Sequence, residues 1–400
     1  MFAQKINPFI VWVQANKKFI YFALISLFIS CFLYLNYINW TSGSLCTGKR
    51  GIQYGYDAAR YINGAERILT NEPFVEKENR YLGYILLIAL NKTIGFDLSF
   101  VLLFQLIFAS FASFTLYDLA RLISKSRIIG ILAAGFYLIN PFIVQWHLFI
   151  HTESLYSSLL VISAWAIYKS TQMNTFNSYS VASLIVIYTA LVRPNGWAVI
   201  PIFLCFIIGS QKINLKIKLT SFVVVIFLFS LFIACFLIFN NRAKSVKTAD
   251  LFMSGQVIWG HTELKVAMPK ECCLGKNNSF SAIKYVFKHP VSVIKIGIIR
   301  IFTELFPLNR PYLSTKYILR FLFFMLPAYF FAVIGFLSFR RNRGVLILSS
   351  IIILHLCIIA ITFSDQEFRF LIYILPLIYL LTAIGITPFL KKVLFLLQKK

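Results

Sequence analysis

The chain has 400 residues, 59% of them hydrophobic, with a mean hydropathy of +0.78, a balance that excludes an ordinary water-soluble domain. Lysine and arginine number 39 against 14 acidic residues, giving a net charge of +25. The basic residues cluster at the ends of apolar runs, as the positive-inside rule expects, so the charge marks membrane orientation and no nucleic-acid partner is expected.

Runs of ~20 apolar residues span a bilayer, and the sequence predicts an all-α polytopic transmembrane bundle of about nine to eleven membrane segments. Lys5, Lys17 and Lys18 place the N-terminus in the cytoplasm. Segment 19–38 is longer than a signal-peptide core, lacks a small-residue cleavage site after it, and reads as a retained anchor. Residues 39–80 form a polar external loop. Residues 81–95 are apolar but short and dip into the membrane. Segment 98–120 returns inward to Arg121, Lys125 and Arg127.

Segment 128–140 runs outward and stops at Asn140-Pro141, leaving 141–153 external. Segment 154–168 enters and 179–192 leaves, reaching an external corner at Arg193-Pro194-Asn195-Gly196. Segment 197–210 returns to Lys212, Lys216 and Lys218, and 219–239 leaves again. Residues 240–316 form a long external loop with an amphipathic helix expected over 281–304, where Lys284, Lys288, His289, Lys295 and Arg300 could meet lipid headgroups. Segment 317–339 enters to Arg340, Arg341 and Arg343. Segment 344–363 leaves to Ser364-Asp365-Gln366-Glu367-Phe368-Arg369, and 370–389 enters to Lys391 and Lys392. Every short basic loop falls inside under this single assignment. No internal repeat of the kind that marks many transporters is visible.

Cys31, Cys205, Cys235 and Cys357 lie in apolar segments and read as core thiols. Cys46, Cys272 and Cys273 lie in external loops. An oxidising compartment would let Cys46 bridge one of the adjacent pair, and free thiols are the alternative.

The topology gathers the unusual polar residues on one external face. Asp57 and Arg60 stand three apart and share a helical face. They are either a helix N-cap with a surface ion pair, or a carboxylate held ionised to take a proton from a hydroxyl. His151-Thr152-Glu153 follows a proline-broken helix. Glu153 is either a first-turn acid, or a ligand with His151 or His147 for a divalent cation or a substrate hydroxyl. Asp57 and His261 complete the candidate metal ligands, although the spacing matches no standard metal motif and no motif demands a cofactor. Arg193 at the corner and Arg80 and Arg369 at membrane edges either hold a phosphate or anchor helix ends by snorkelling. For Arg369 an ion pair with Glu367 is a further reading. No P-loop, nucleophile elbow, zinc-protease motif or dinucleotide fingerprint is present. An external site without a nucleotide motif needs an activated substrate carried in lipid.

Asp57-Ala58-Ala59-Arg60-Tyr61 in the first external loop, the proline-broken segment ending at Glu153, and the Arg193-Pro194 corner together resemble the GT-C glycosyltransferases, and among them the aminoarabinose lipid A transferase and the protein O-mannosyltransferases. The resemblance covers 19–210, with an echo in Lys288-His289-Pro290 and in Phe368-Arg369-Phe370. It implies Asp57 as the catalytic or acceptor-binding carboxylate and Glu153 as the acid closing the second external loop. It also implies Arg60, Arg80, Arg193 and Arg369 around the lipid phosphate. Asn79-Arg80-Tyr81-Leu82-Gly83 departs from the Lys-Pro-Pro motif of the aminoarabinose enzyme, and the soluble external domain of some relatives is missing. The expected activity is transfer of a sugar from a polyprenyl-phosphate donor to a lipid, glycan or protein acceptor at the periplasmic face of a bacterial inner membrane. A lipid-linked sugar flippase or a glycan polymerase is the alternative.

Overall fold

The computed structural model describes residues 17–42, 50–75, 77–209, 250–261, 263–270, 279–306, 315–365 and 368–399. The expected span at 219–239, the cysteines Cys46, Cys235, Cys272 and Cys273, and Glu367 lie outside these residues.

The described chain is helical, with three isolated β-bridges and no strand among the described residues. The helices are α1 (Lys17–Ser42), α2 (Ala58–Leu69), α3 (Leu82–Thr93), α4 (Ser99–Ser124), α5 (Arg127–Ile139), α6 (Thr152–Met173), α7 (Phe176–Val192) and α8 (Val199–Ile208). After them come α9 (Ser279–Lys288), α10 (Pro290–Leu305), α11 (Leu326–Phe339), α12 (Arg343–Ile361) and α13 (Arg369–Lys399). Five helices among the described residues are long and apolar enough to cross a bilayer, and the bent pair Arg127–Ile139 with Pro141–Leu148 makes a sixth if taken as one span. The protein is therefore an all-α polytopic membrane bundle. The twelve residues of α3 reach about 18 Å at the α-helical rise, short of a ~30 Å hydrocarbon core.

The breaks follow from local chemistry. Proline cannot continue a helix but suits its first position. Asn140 sits before Pro141 in extended conformation and accepts bonds from the amides of Phe142 (2.9 Å) and Ile143 (3.3 Å). The chain bends by 49° there. Arg193 is likewise extended before Pro194. The segment 317–339 is compound: a helical turn, a π-turn over Phe321–Met325, then α11. The amphipathic stretch expected over 281–304 is two helices, because Pro290 interrupts it after His289.

Helix α13 is the centre of the bundle, buried along 89% of its apolar stretch, whereas α1 is buried along 6%. Helices α11 and α13 cross where Gly335 faces Leu381 and Gly385 faces Phe331, so close that a Cβ on either glycine would strike backbone. At the far end of α4, Asp118 binds Arg121 (2.7 Å), Lys169 (2.9 Å) and the indole N–H of Trp165 (3.0 Å), tying α4 to α6.

Candidate active site

The start of α2, the start of α6, the end of α7 and the start of α13 converge on one polar cluster. Asp57 occupies the N-cap position of α2 without making a side-chain cap bond. Its carboxylate turns to two guanidinium groups instead: Arg60 Nη1 donates to Oδ1 at 2.7 Å, and Arg369 Nη1 to Oδ2 at 3.2 Å. The i,i+3 pairing read from the sequence is present, and a second arginine from the far end of the chain joins it. Asp57 and Arg60 stay partly open to solvent.

Glu153, in the first turn of α6, is fully buried. Its Oε1 accepts from Arg193 Nη1 and from the Tyr373 hydroxyl, each at 3.0 Å, and its Oε2 pairs with His151 Nδ1. A buried carboxylate survives only when paired and hydrogen-bonded, and both conditions hold here. His151 is also buried. With Nδ1 donating to Glu153, its Nε2 is left as the acceptor; it lies 3.5 Å from Arg369 Nη1 and 3.7 Å from Asp57 Oδ2. The resulting chain of groups runs Glu153, His151, Asp57, Arg369.

The break that carries His151 is held by residues outside the sequence expectations. Gln53 forms a parallel bridge with Phe149, and Gln105 donates to the carbonyls of His147 (3.1 Å) and Phe149 (3.0 Å) while accepting from Tyr84 (2.8 Å). Gly55 lies directly against the imidazole: a Cβ there would sit 2.7 Å from His151 Cδ2. Tyr61 and Trp146 meet the ring edge-on at 5.5 and 5.9 Å. Burial pushes the Tyr61 hydroxyl well above its ordinary value, so it stays protonated; that oxygen has no hydrogen-bond partner among the described residues.

The arginines divide into three kinds. Arg193 is buried, bonds Thr152 Oγ1 at 2.5 Å as well as Glu153, and sits 4.5 Å over the Tyr373 ring. It is no snorkelling anchor: its guanidinium is the buried counter-charge of Glu153. Arg60 and Arg369 border Asp57. Arg80 is exposed, and no hydrogen bond or ion pair ties its side chain to another described residue. The reading of an Arg369–Glu367 ion pair falls on a residue outside those described. Among the described residues Arg369 pairs with Asp365, whose two oxygens accept from Nε and Nη2 at 3.0 Å each. Phe368, just before it, holds φ +56°, an uncommon conformation for an aromatic residue that is found where surrounding packing enforces it.

Asp57, His151 and Glu153 come together as the metal reading required, but their oxygens and ring nitrogens are engaged by guanidinium, tyrosine and one another. Among the described residues no group of three or more His, Cys, Asp or Glu side chains is placed to hold a metal ion. His261 lies in another segment, its carbonyl accepting from Gln256. The donor set therefore does not fit a divalent cation as arranged.

No family profile matches the chain, and no curated protein matches it in sequence. Its fold does match a solved structure. The archaeal oligosaccharyltransferase AglB from Archaeoglobus fulgidus, determined in complex with an inhibitory peptide and a dolichol-phosphate, superposes with a TM-score of 0.53 at 14% identity over 95% of this chain. The chain therefore shares the fold of that membrane-embedded enzyme. The match covers 51% of the AglB chain, so this protein spans about half its length.

Proposed function

We propose that this protein is a membrane glycosyltransferase that moves a sugar from a polyprenyl-phosphate donor to a lipid, glycan or protein acceptor at the external face. Within that class the sequence motifs lean toward the aminoarabinose and O-mannosyl transferases. The observation that carries the reading is the meeting of Asp57, His151, Arg60 and Arg369 at helix ends of a fold shared with AglB. The fold likeness supports lipid-linked chemistry in general, since AglB was solved with a dolichol-phosphate.

In this mechanism the acceptor hydroxyl lies against Asp57 and His151 Nε2. Its oxygen attacks the anomeric carbon, the bond from that carbon to the phosphate oxygen breaks, and the electron pair leaves with polyprenyl phosphate. The hydroxyl proton passes to the Asp57–His151 pair. Arg369 and Arg60 take up the charge that grows on the leaving phosphate. Glu153 fixes the tautomer and direction of the imidazole, as an orienting carboxylate does in other acid–base assemblies. Inversion at the anomeric carbon is what the family resemblance implies. The test is turnover of a defined polyprenyl-phosphate sugar by purified protein in nanodiscs, followed as release of polyprenyl phosphate. Release that vanishes in Asp57→Asn supports the reading; release unchanged in that variant counts against it.

A further inference from the structure

The helix α10 lies in the expected long external loop, outside the polar cluster described above, and its Arg300, expected among lipid headgroups, is instead buried. Its outward stripe is apolar: Val291, Ile294, Ile298 and Phe302 are all more than half exposed, the pattern of a helix face laid against lipid. Its inner face carries two buried charges, Arg300 and Glu304, each 0% exposed. Burying a charge is costly unless it is bonded, and both are bonded to the connection between α12 and α13.

Arg300 Nη1 donates to the carbonyls of Ala360 (3.1 Å) and Ile361 (3.3 Å), the last turn of α12, where carbonyls lack helical partners. Its Nε and Nη2 donate to the carbonyl of Gln256 at 3.1 and 2.8 Å. Glu304 works on the other side of the connection. Its Oε2 accepts from the Ser364 hydroxyl (2.5 Å) and the Asp365 amide (3.0 Å), and its Oε1 accepts from the Leu371 amide (3.0 Å). One carboxylate thus holds the residue that chelates Arg369 and the first turn of α13 that carries Arg369. Ser364 is gripped a second time through its bridge with Ile258.

We propose that Glu304, backed by Arg300, is a positioning residue for Arg369. It fixes the Asp365–Arg369 pair at the distance from Asp57 where an incoming phosphate meets a preformed guanidinium. The ligand part of this proposal rests on the phosphate role given to Arg369 above. Glu304 acts through main-chain bonds and never touches the phosphate. Preorganisation of this kind raises affinity because the ordering cost is met in folding.

The experiment uses the full chain in detergent and two readouts, hydrogen exchange at peptides carrying Asp365 and Leu371, and binding of farnesyl phosphate. Glu304→Ala should speed exchange at both peptides while α4 and α6 keep their protection, and should weaken farnesyl phosphate ~10-fold, within the range for a charge-assisted bond. In an Arg369→Ala background, Glu304→Ala should speed exchange equally but weaken binding no further. If Glu304→Ala fails to fold, Glu304→Gln, which keeps one accepting oxygen, serves in the same scheme with smaller effects. Unchanged exchange overturns the clamp. Binding losses that multiply in the double variant overturn the claim that Glu304 acts through Arg369. A wild-type chain that binds no farnesyl phosphate overturns the phosphate reading instead, and the exchange result alone then decides whether Glu304 holds the connection.

Discussion

Glu153 holds His151 by its Nδ1, and the same ring presents its Nε2 to Asp57 across 3.7 Å. The two residues are two apart in the chain but face different surroundings: Glu153 is sealed from solvent, and His151 faces the partly open carboxylate of Asp57. Glu153→Gln should leave the fold recognisable but strand the buried Arg193. Breaking one side of a buried pair costs roughly 3–5 kcal/mol, so the thermal transition of the purified protein should fall sharply. Arg193→Gln should do the same, and the double variant should lose less than the sum of the two. Additive losses would show that the pair is not coupled.

Asp57 is partly exposed, so Asp57→Asn should cost little stability and leave membrane insertion intact. Turnover should fall ~10²–10⁴-fold, the usual range for an acid–base group. Thermal stability and rate measured on one preparation separate the two effects. Near wild-type turnover would make Asp57 a structural partner of Arg60 and Arg369.

Gly55 tests the packing around the imidazole. Gly55→Ala places a methyl group within 2.7 Å of His151 Cδ2, closer than real contacts allow, so the imidazole or the backbone beside it must shift. Activity should fall with alanine and further with valine, while circular dichroism stays helical. Unaltered rates in both would show that His151 plays no part in the chemistry.

Much of the bundle is legible in the sequence because apolar length and lysine–arginine placement are local signals. The helices α1, α4 and α12 begin and end within a few residues of the expected segments, α13 begins where expected but runs ten residues further, and Pro141 and Pro194 mark real breaks. The Asp57–Arg60 pair was visible for the same reason, as an i,i+3 spacing. The contact of Arg369 with Asp57, 312 residues away, has no local trace. Nor does Tyr373, whose hydroxyl reads as ordinary helix until α13 is packed against α6. The Asp365–Arg369 pair sits at a spacing of four, but Glu367 lies nearer in the sequence, so spacing alone does not single out Asp365. Glu304 reads as one acid on an amphipathic helix, and nothing short of the tertiary packing shows it buried against main-chain amides.

The arginines separate by surroundings. Arg369→Ala should raise the donor KM strongly, and Arg369→Lys should recover only part, because lysine loses the planar fork. Arg80→Ala should change stability by no more than ~0.5 kcal/mol, as for exposed side chains without partners, and should shift the donor KM less than Arg369→Ala does. Steady-state kinetics with varied donor checks both; an Arg80 effect equal to that of Arg369 would move the phosphate outward to the loop.

The central claim is transfer from a lipid-linked sugar, and mass spectrometry of cell-envelope lipids and glycans tests it most directly. Cells producing the wild-type chain, the Asp57→Asn variant, or neither are compared. The account predicts one sugar modification present only with the wild-type chain, with its polyprenyl-phosphate donor accumulating at the external face in the other two. A modification that persists with Asp57→Asn, or a donor that accumulates only at the cytoplasmic face, would contradict transfer and assign the protein to transport.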